Sequence, residues 1–297
     1  MGTIGSDANT LSTYSKRNKY MKSMIETALR ESLVAEKICL VDRSNIRTIQ
    51  NPYSTAPAVE LTKLTGTYTP ATHTITDDTL TVNREFKVSE HVFDFEQRTS
   101  QFDLIANRLD DQAFAVAKEI DQYVLNMLCE DGSGTYSTPS GGFTTAANVN
   151  TIMANLLSKV AGYQEAFQGQ FLVIENTDLP GFAQAGADVG FNFSDNILKN
   201  GLRNTFPWMG VEVYVVRTGT FEDATYGNAD STDTVTNSGH RVFGVKNMAT
   251  YAAPRDIAYE EKSVSGRTGK ELVTYGYIGF KLWTPKASLI VDITLTA

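Results

Sequence analysis

One long amphipathic helix constrains this chain more than any other feature of its sequence. Between residues 101 and 129, apolar side chains recur at steps of three and four, which is the spacing of one helical face. They are Phe102, Ile105, Leu109, Ala113, Val116, Ile120, Val124 and Met127. Polar residues lie off this stripe: Asn107, Asp111, Lys118 and Gln122. A helix of about 28 residues is about 42 Å long, and globular helices average about 11–12 residues, so we expect it to form the centre of the fold.

The segment from Thr48 to Val92 has the composition of exposed strands. Residues 74–82 (TITDDTLTV) alternate with period two, which predicts a β-hairpin with its turn at Asp77 and Asp78. Little in residues 50–85 is apolar enough to form a core, and a two-stranded ribbon is marginally stable alone in water. The sequence therefore predicts that another subunit covers this hairpin.

The remaining segments indicate an α+β chain. Residues 1–20 form a polar leader, and the spacing from Lys22 to Cys39 predicts a short amphipathic helix that residues 38–41 close. Downstream, the predicted elements are a loop (130–148), a second amphipathic helix (149–167), a buried strand (171–174), a short helix that begins near Asp178, a strand (210–216), a long, exposed and mobile polar loop (221–239), and β-rich segments (241–251, 258–264, 272–283 and 287–296). This order lacks the regular βαβ alternation of a nucleotide-binding sheet.

Charge and cysteine content narrow the function classes. The chain of 297 residues has a net charge of −8, yet residues 1–50 carry eight basic and five acidic residues, which leaves −11 for the remainder. Such an acidic body argues against tight non-specific binding of nucleic acid. The basic N-terminal segment is either an arm on an acidic partner or a solvated tail. Two distant cysteines, Cys39 and Cys129, predict no disulfide framework and fit a reducing cytoplasm.

No residue pattern in the sequence predicts catalysis, metal binding or a membrane span. The three histidines lie in unrelated segments without a second ligand four residues away. The segment 265–270 ends in Gly-Lys, but a phosphate loop also requires glycine at 264 and Ser or Thr at 271, where Val264 and Glu271 stand. No apolar run approaches the ~18–20 residues of a membrane helix. We therefore expect no catalytic residues, no cofactor and no metal ligands.

Several motifs, taken in their order along the chain, resemble those of a known protein family. They are DLIANRL at 103–109, AKEID at 117–121, FLVIEN at 171–176, GVEVYVV at 210–216, VFGVKNMATY at 242–251 and YGYIGFKLWTPKA at 275–287. With the polar arm, the hairpin and the long helix before them, they resemble the major capsid proteins of tailed bacteriophages, which have the Hong Kong-type fold. The similarity spans about residues 20–297.

The resemblance implies a domain organisation and a function. The implied parts are an N-terminal arm with a short helix (1–47), an extended β-hairpin loop (48–92), a peripheral domain (93–142 and 251–297) with the spine helix 101–129, and an α/β axial domain (143–250). It implies a structural subunit, not an enzyme, that self-assembles into hexamers and pentamers of an icosahedral shell around double-stranded DNA. The implied location is the virion, after assembly in the cytoplasm of the bacterial host.

The resemblance also implies partners. These are other copies of the chain, portal and scaffolding proteins, a decoration protein as a further candidate, and packaged DNA bound without sequence specificity, with no membrane and no cofactor. Charged residues of the arm and the hairpin are the candidates for contacts between subunits: Lys16, Arg17, Lys19, Lys22, Asp77, Asp78, Arg84 and Glu85.

Two other functions stay open at this point. One is an encapsulin-type nanocompartment shell of the same fold that packages an enzyme, against which the long hairpin and the arm argue. The other is a hydrolase that uses the carboxylates of residues 222–261, although no base–nucleophile pair or metal constellation supports it.

Overall fold

The computed structural model of the chain describes residues 33–54, 74–93, 104–188, 205–227, 232–263 and 268–296. The helices are α1 (Ala35–Ile38), α2 (Leu104–Asp131), α3 (Ala146–Val160) and α4 (Leu179–Asp188), with short 3₁₀ helices at Gly142–Thr144, Gln164–Gln168, Asn176–Asp178 and Thr284–Leu289. The strands are β1 (Leu40–Asp42), β2 (Thr48–Ser54), β3 (Ile75–Thr81), β4 (Arg84–Val92), β5 (Gly134–Ser137), β6 (Gln170–Glu175), β7 (Thr205–Trp208), β8 (Val211–Val216), β9 (Asp223–Gly227), β10 (Thr232–Thr236), β11 (His240–Val245), β12 (Ala249–Ser263), β13 (Lys270–Leu282) and β14 (Ile290–Thr294).

A six-stranded mixed sheet forms the larger part of the core. Its strand order is β5-β14-β11-β6-β8-β7, with β5 parallel to β14 and β6 parallel to β8. Five consecutive residues of β6, Phe171–Glu175, are buried, as are the last five residues of β11. Because successive residues of a strand point to opposite faces, both faces of the sheet are covered. Helices α2 and α3 both contact β11.

The other sheets are a four-stranded sheet and two two-stranded sheets, the β2–β3 ribbon and the β9–β10 hairpin. The four-stranded sheet has the order β1-β12-β13-β4, in which β1 runs parallel to β12 and the other pairs are antiparallel. Helix α2 contacts β4 and β13 of this sheet and β11 and β14 of the larger one. The ribbon consists of β2 and β3, which are antiparallel. The long helix therefore joins the two sheets, as its length predicts.

Helix α2, the predicted spine helix, carries the predicted apolar stripe. Leu109, Ala113, Val116, Ile120 and Val124 are all buried, whereas Phe102 lies outside the described residues. One of the polar residues off the stripe, Gln122, is nevertheless buried. It is 4% exposed, and its Nε2 donates a hydrogen bond to the carbonyl of Gly219 at 3.1 Å. The second half of the helix is buried on almost every side, so its polar residues also need partners within the protein.

Two segments that the sequence predicts as loops contain strands. Residues 221–239 form the hairpin of β9 and β10, in which Val235 is buried, and residues 130–148 include β5. The hairpin contacts the spine helix through a buried amide. Asn126 Nδ2 donates to the hydroxyl of Tyr226 at 3.0 Å and to the carbonyl of Thr220 at 3.1 Å. Polar contacts of this kind leave no apolar pattern in a sequence.

The predicted N-terminal helix and the predicted hairpin turn also differ from the structure. Helix α1 has only four residues and is followed by strand β1, whereas residues 22–32 lie outside the described residues. Asp77 and Asp78 do not form the turn of the hairpin, because both lie within β3 and pair with Pro52 and Asn51 of β2. The predicted turn at Asp77 and Asp78 is therefore wrong.

Two predicted domain boundaries divide a sheet. Residues 134–137 and 290–294 belong by prediction to the peripheral domain, yet β5 and β14 are hydrogen-bonded into the six-stranded sheet. Strand β4, predicted as part of the extended loop, pairs with β13 along residues 84–92. Sheets join residues that are distant in the chain, so boundaries along the sequence cannot follow them. Among the described residues, no helix is both long and apolar enough to cross a membrane.

Candidate assembly surfaces

The ribbon of β2 and β3 presents one face that is exposed except at Thr81, which is partly buried. The exposed side chains on this face are Thr48, Gln50, Pro52 and Ser54 of β2 and Ile75, Asp77 and Thr79 of β3. Ile75 is 72% exposed, the highest value among the large apolar residues of the described chain. A two-stranded ribbon is marginally stable in water, and a partner that covers an apolar residue this exposed would stabilise it.

The opposite face of the ribbon is attached to the four-stranded sheet at its base. Leu80 is 1% exposed and packs against Ala252 and Trp283 in a small apolar cluster. The carboxylate of Asp78 accepts a hydrogen bond from the backbone N–H of Thr284 at 2.8 Å and lies 3.4 Å from Nζ of Lys281. Partial burial opposes ionisation of Asp78, but these donors outweigh it and hold its pKa below the usual value. The base of the ribbon is therefore fixed, while the part beyond it extends from the body.

Arg84 fixes the other side of this base. Its side chain is 8% exposed, forms an ion pair with Asp233 of β10, and lies 4.9 Å from the ring centroid of Tyr123 on the spine helix. Two of its nitrogens, Nε and Nη1, are buried without a hydrogen-bond partner. Arg84 thus connects the strand after the ribbon to the β9–β10 hairpin and to α2.

The eight predicted contact residues fall into three groups. Lys16, Arg17, Lys19 and Lys22 lie outside the described residues. Asp78 and Arg84 make the contacts given above within their own chain. Asp77 and Glu85 are exposed, and their role between subunits stays a prediction. Asp77 and Asp78 lie in β3, and Arg84 and Glu85 are the first two residues of β4, but the contacts of Asp78 and Arg84 are with different partners.

Asp121 of the spine helix holds the start of α1. Its two carboxylate oxygens accept hydrogen bonds from the backbone N–H groups of Val34 at 3.0 Å and Ala35 at 2.8 Å. Because these groups bond to Asp121, the helix begins at Ala35 instead of continuing from earlier residues. Burial raises the pKa of Asp121 to about 7 against the lowering effect of the two N–H donors.

We expect Asp121 to make the stability of the subunit depend on pH. Its pKa rises from 3.8 to about 7 on folding, so the folded state binds the proton more tightly. The resulting stabilisation is complete below about pH 4 and is lost as the pH rises towards 7. The free energy of unfolding of the wild type should therefore fall relative to that of Asp121→Asn across this range. Guanidinium unfolding of both proteins at about pH 4.5 and pH 7.5 measures this change. If the two proteins differ in free energy of unfolding by the same amount at both pH values, the expectation is wrong.

A buried ionic network fixes the loop between β8 and β9. Arg241 donates to Asp178 at 2.5 Å and to Glu175 at 3.1 Å, and all three side chains are less than 10% exposed. The second oxygen of Glu175 accepts hydrogen bonds from three consecutive backbone N–H groups, those of residues 219–221, at 3.0–3.2 Å. Every partner of this network lies within the protein, so it stabilises the fold rather than forming an open site. Within the described ranges, no group of His, Cys, Asp or Glu side chains is placed to hold a metal ion.

Comparison with solved structures identifies the fold. The chain is similar to the capsid of the cyanophage P-SCSP1u, with a TM-score of 0.68 and 11% sequence identity over 89% of this chain and 88% of that chain. A structure from Mycobacterium phage Che8 gives a TM-score of 0.63 and 15% identity over 83% and 84% of the two chains. A virus-like particle from Pyrococcus furiosus gives 0.58 and 10% identity, over 93% of this chain and 99% of that chain.

The similarity lies in the fold and not in the sequence. No protein-family model matches the chain, and no curated protein sequence matches it. The structural similarity nevertheless extends over more than four-fifths of each chain compared. The α+β architecture that the sequence predicts is confirmed, and this chain has the Hong Kong-type fold of tailed-bacteriophage capsid proteins.

Proposed function

We propose that this chain is the major capsid protein of a tailed bacteriophage, a structural subunit that self-assembles into hexamers and pentamers of an icosahedral shell around double-stranded DNA. The observation that carries the proposal is the ribbon of β2 and β3 on a chain with a capsid fold. One face of the ribbon is exposed, including Ile75, and its edges remain available for pairing until another chain covers them. A subunit of a shell gains such cover from its neighbours.

In this proposal the two sheets have different positions in the shell. The six-stranded sheet with α3 and α4 corresponds to the axial domain, and the four-stranded sheet with the spine helix corresponds to the peripheral domain. The partners are other copies of the chain, portal and scaffolding proteins, a decoration protein as a further candidate, and packaged DNA. The net charge of −8 supports a shell that does not retain DNA by neutralising its phosphates. Assembly takes place in the host cytoplasm, and the product is the virion.

A nanocompartment shell of encapsulin type is the second candidate. The chain is similar to a virus-like particle from Pyrococcus furiosus as well as to phage capsids, so this candidate is kept beside the first. The contents of purified particles separate the two functions. DNA inside the particles supports the phage capsid, whereas a co-purifying enzyme supports the nanocompartment.

The test of the main proposal is a subunit with a shortened ribbon. Replacing residues 52–77 by Asn-Gly joins Asn51 to Asp78, which are already paired, and retains the contacts of Asp78 and Leu80 with the body. We expect the wild type to form shells or rings of five or six copies, and the shortened variant to stay monomeric. Negative-stain electron microscopy and native mass spectrometry measure both.

The thermal melt of the shortened variant is the control. Because the buried base of the ribbon is kept, its melting temperature in dilute solution should equal that of the wild-type monomer within a few degrees. Shells formed by the shortened variant would show that the ribbon is not required. A wild-type chain that stays monomeric at high concentration would refute the proposed function itself.

A further inference from the structure

The hairpin of β7 and β8 ends in a strained turn that carries an exposed methionine. Trp208 pairs with Val211, so Met209 and Gly210 are the only residues of the turn. Both have positive φ, 50° for Met209 and 84° for Gly210, as a two-residue turn of type I′ requires. The first position of such a turn favours glycine, which lacks a β-carbon, or asparagine and aspartate, whose short polar side chains can bond to the nearby backbone in the left-handed region.

Met209 is of a residue type that does not tolerate positive φ well. In the part of the chain that the structure describes, two residues other than glycine have positive φ, Met209 and Asn247. Asn247 is of the type that tolerates this conformation. Met209 is not, and burial of its side chain does not compensate for the strain, because it is 54% exposed. Strain that the subunit alone does not compensate is typical of residues that act in binding.

The turn is presented on a rigid base. Phe206 and Trp208 of β7 are both buried, and their rings lie 5.7 Å and 5.5 Å from that of Phe182 on helix α4, in edge-to-face contact. The ring of Phe182 also stacks on Phe143 at 5.5 Å. An apolar side chain that a packed hairpin holds in one place loses little freedom on binding, which is the property of an interface anchor.

The surroundings of the turn favour a contact through side chains. Strand β7 is the outermost strand of its sheet, and Pro207 lacks the N–H group that pairing with a further strand uses. Pro207 is itself exposed and lies two residues before Met209, and we refer to these two exposed apolar residues as the patch. Glu212, opposite Pro207, has its charge compensated by Nζ of Lys246 at 2.6 Å. The patch is therefore one that a second apolar surface can cover without burying an unpaired charge from Glu212.

We infer that Met209, at the end of the β7–β8 hairpin, is an anchor that inserts into a neighbouring copy of this chain during assembly. The inference rests on the proposed function, which supplies the neighbour. In a ring of copies related by rotation, a contact that the turn of one copy makes with the next copy is repeated at every interface of the ring. Each subunit then keeps a strained residue because its side chain is buried only in the assembly.

Replacing Met209 by asparagine tests the turn and the contact separately. Asparagine relieves the strain of the turn, and it removes the apolar side chain that would make the contact. Met209→Asn should raise the melting temperature of the monomer by about 2–4 °C, as relief of strain predicts, and raise the threshold concentration for assembly at least about tenfold, as loss of an anchor predicts. Met209→Gly should have the same effect on assembly. Met209→Leu, which keeps an apolar side chain, should assemble as the wild type does.

Light scattering against protein concentration gives the threshold, and calorimetry of dilute subunits gives the melting temperature. If the wild type assembles and Met209→Asn assembles at the same threshold, Met209 is only a turn residue and the inference is wrong, while the proposed function stands. If the wild type forms neither rings nor shells, the proposed function fails and the inference fails with it.

Discussion

Replacing Arg241 by methionine is expected to lower the free energy of unfolding of the subunit by about 3–5 kcal/mol. Arg241 donates to Glu175 and Asp178, and all three side chains are buried. Methionine fills a similar volume but leaves two carboxylates without a cation in a site that water does not reach. Denaturant unfolding of the monomer measures the loss. The variant should also show greater proteolysis between β8 and β9, because Glu175 holds the backbone of residues 219–221.

Two further variants test the reason for this loss. Lys246→Met breaks the ion pair with Glu212, which is 51% exposed, and should cost at most about 1 kcal/mol. The triple variant Arg241→Met, Glu175→Gln and Asp178→Asn removes the unpaired charges and should recover part of the lost stability. If Arg241→Met and Lys246→Met have equal effects, the network does not behave as a buried one.

Replacing Val116 by aspartate should be at least as damaging, with an expected loss of about 4 kcal/mol or more. Val116 is 1% exposed on the apolar stripe of the spine helix, which contacts both sheets. A carboxyl group there is either buried in the core, charged or protonated and without a hydrogen-bond partner, or displaces the helix from its partners. Circular dichroism melts of the monomer should show either a large fall in melting temperature or no folded protein.

The matched control for this change is the preceding residue. Ala115 is exposed on the same helix, so Ala115→Asp introduces the same side chain into the same element without burying it. Its cost should be limited to the lower helix propensity of aspartate, about 0.7 kcal/mol or less. Equal melting temperatures for Val116→Asp and the wild type would show that the stripe does not face the core.

Elements held by apolar burial could be predicted from the sequence, and elements held by polar contacts could not. The spacing of Leu109, Val116 and Val124 predicted the spine helix, and the run Phe171–Ile174 predicted a buried strand, because both place apolar groups with the period of the backbone. The β9–β10 hairpin lacks such a pattern, since much of its attachment is polar and uses Asn126 and the ion pair of Asp233 with Arg84.

In the candidate sites, too, features that follow from local composition could be predicted, whereas polar contacts between distant residues could not. Asp77 and Asp78 have the local character of a turn, but Asp78 is placed by Thr284 and Lys281, more than 200 residues away in the chain. Glu175 and Arg241 are 66 residues apart, so no motif joins them. The exposure of the ribbon, by contrast, was predictable because its lack of apolar residues is a property of composition.

Three of the carboxylates described above, Asp78, Asp121 and Glu175, bind backbone N–H groups of distant segments. A carboxylate that binds the main chain does not depend on which side chain the receiving residue carries. The backbone part of these hydrogen bonds therefore sets no requirement on the side chain at residues 219–221, whereas Val34 and Ala35 are also restricted by their burial in the core. Joints of this kind tie the architecture to one carboxylate and the main chain, and not to a matched pair of side chains.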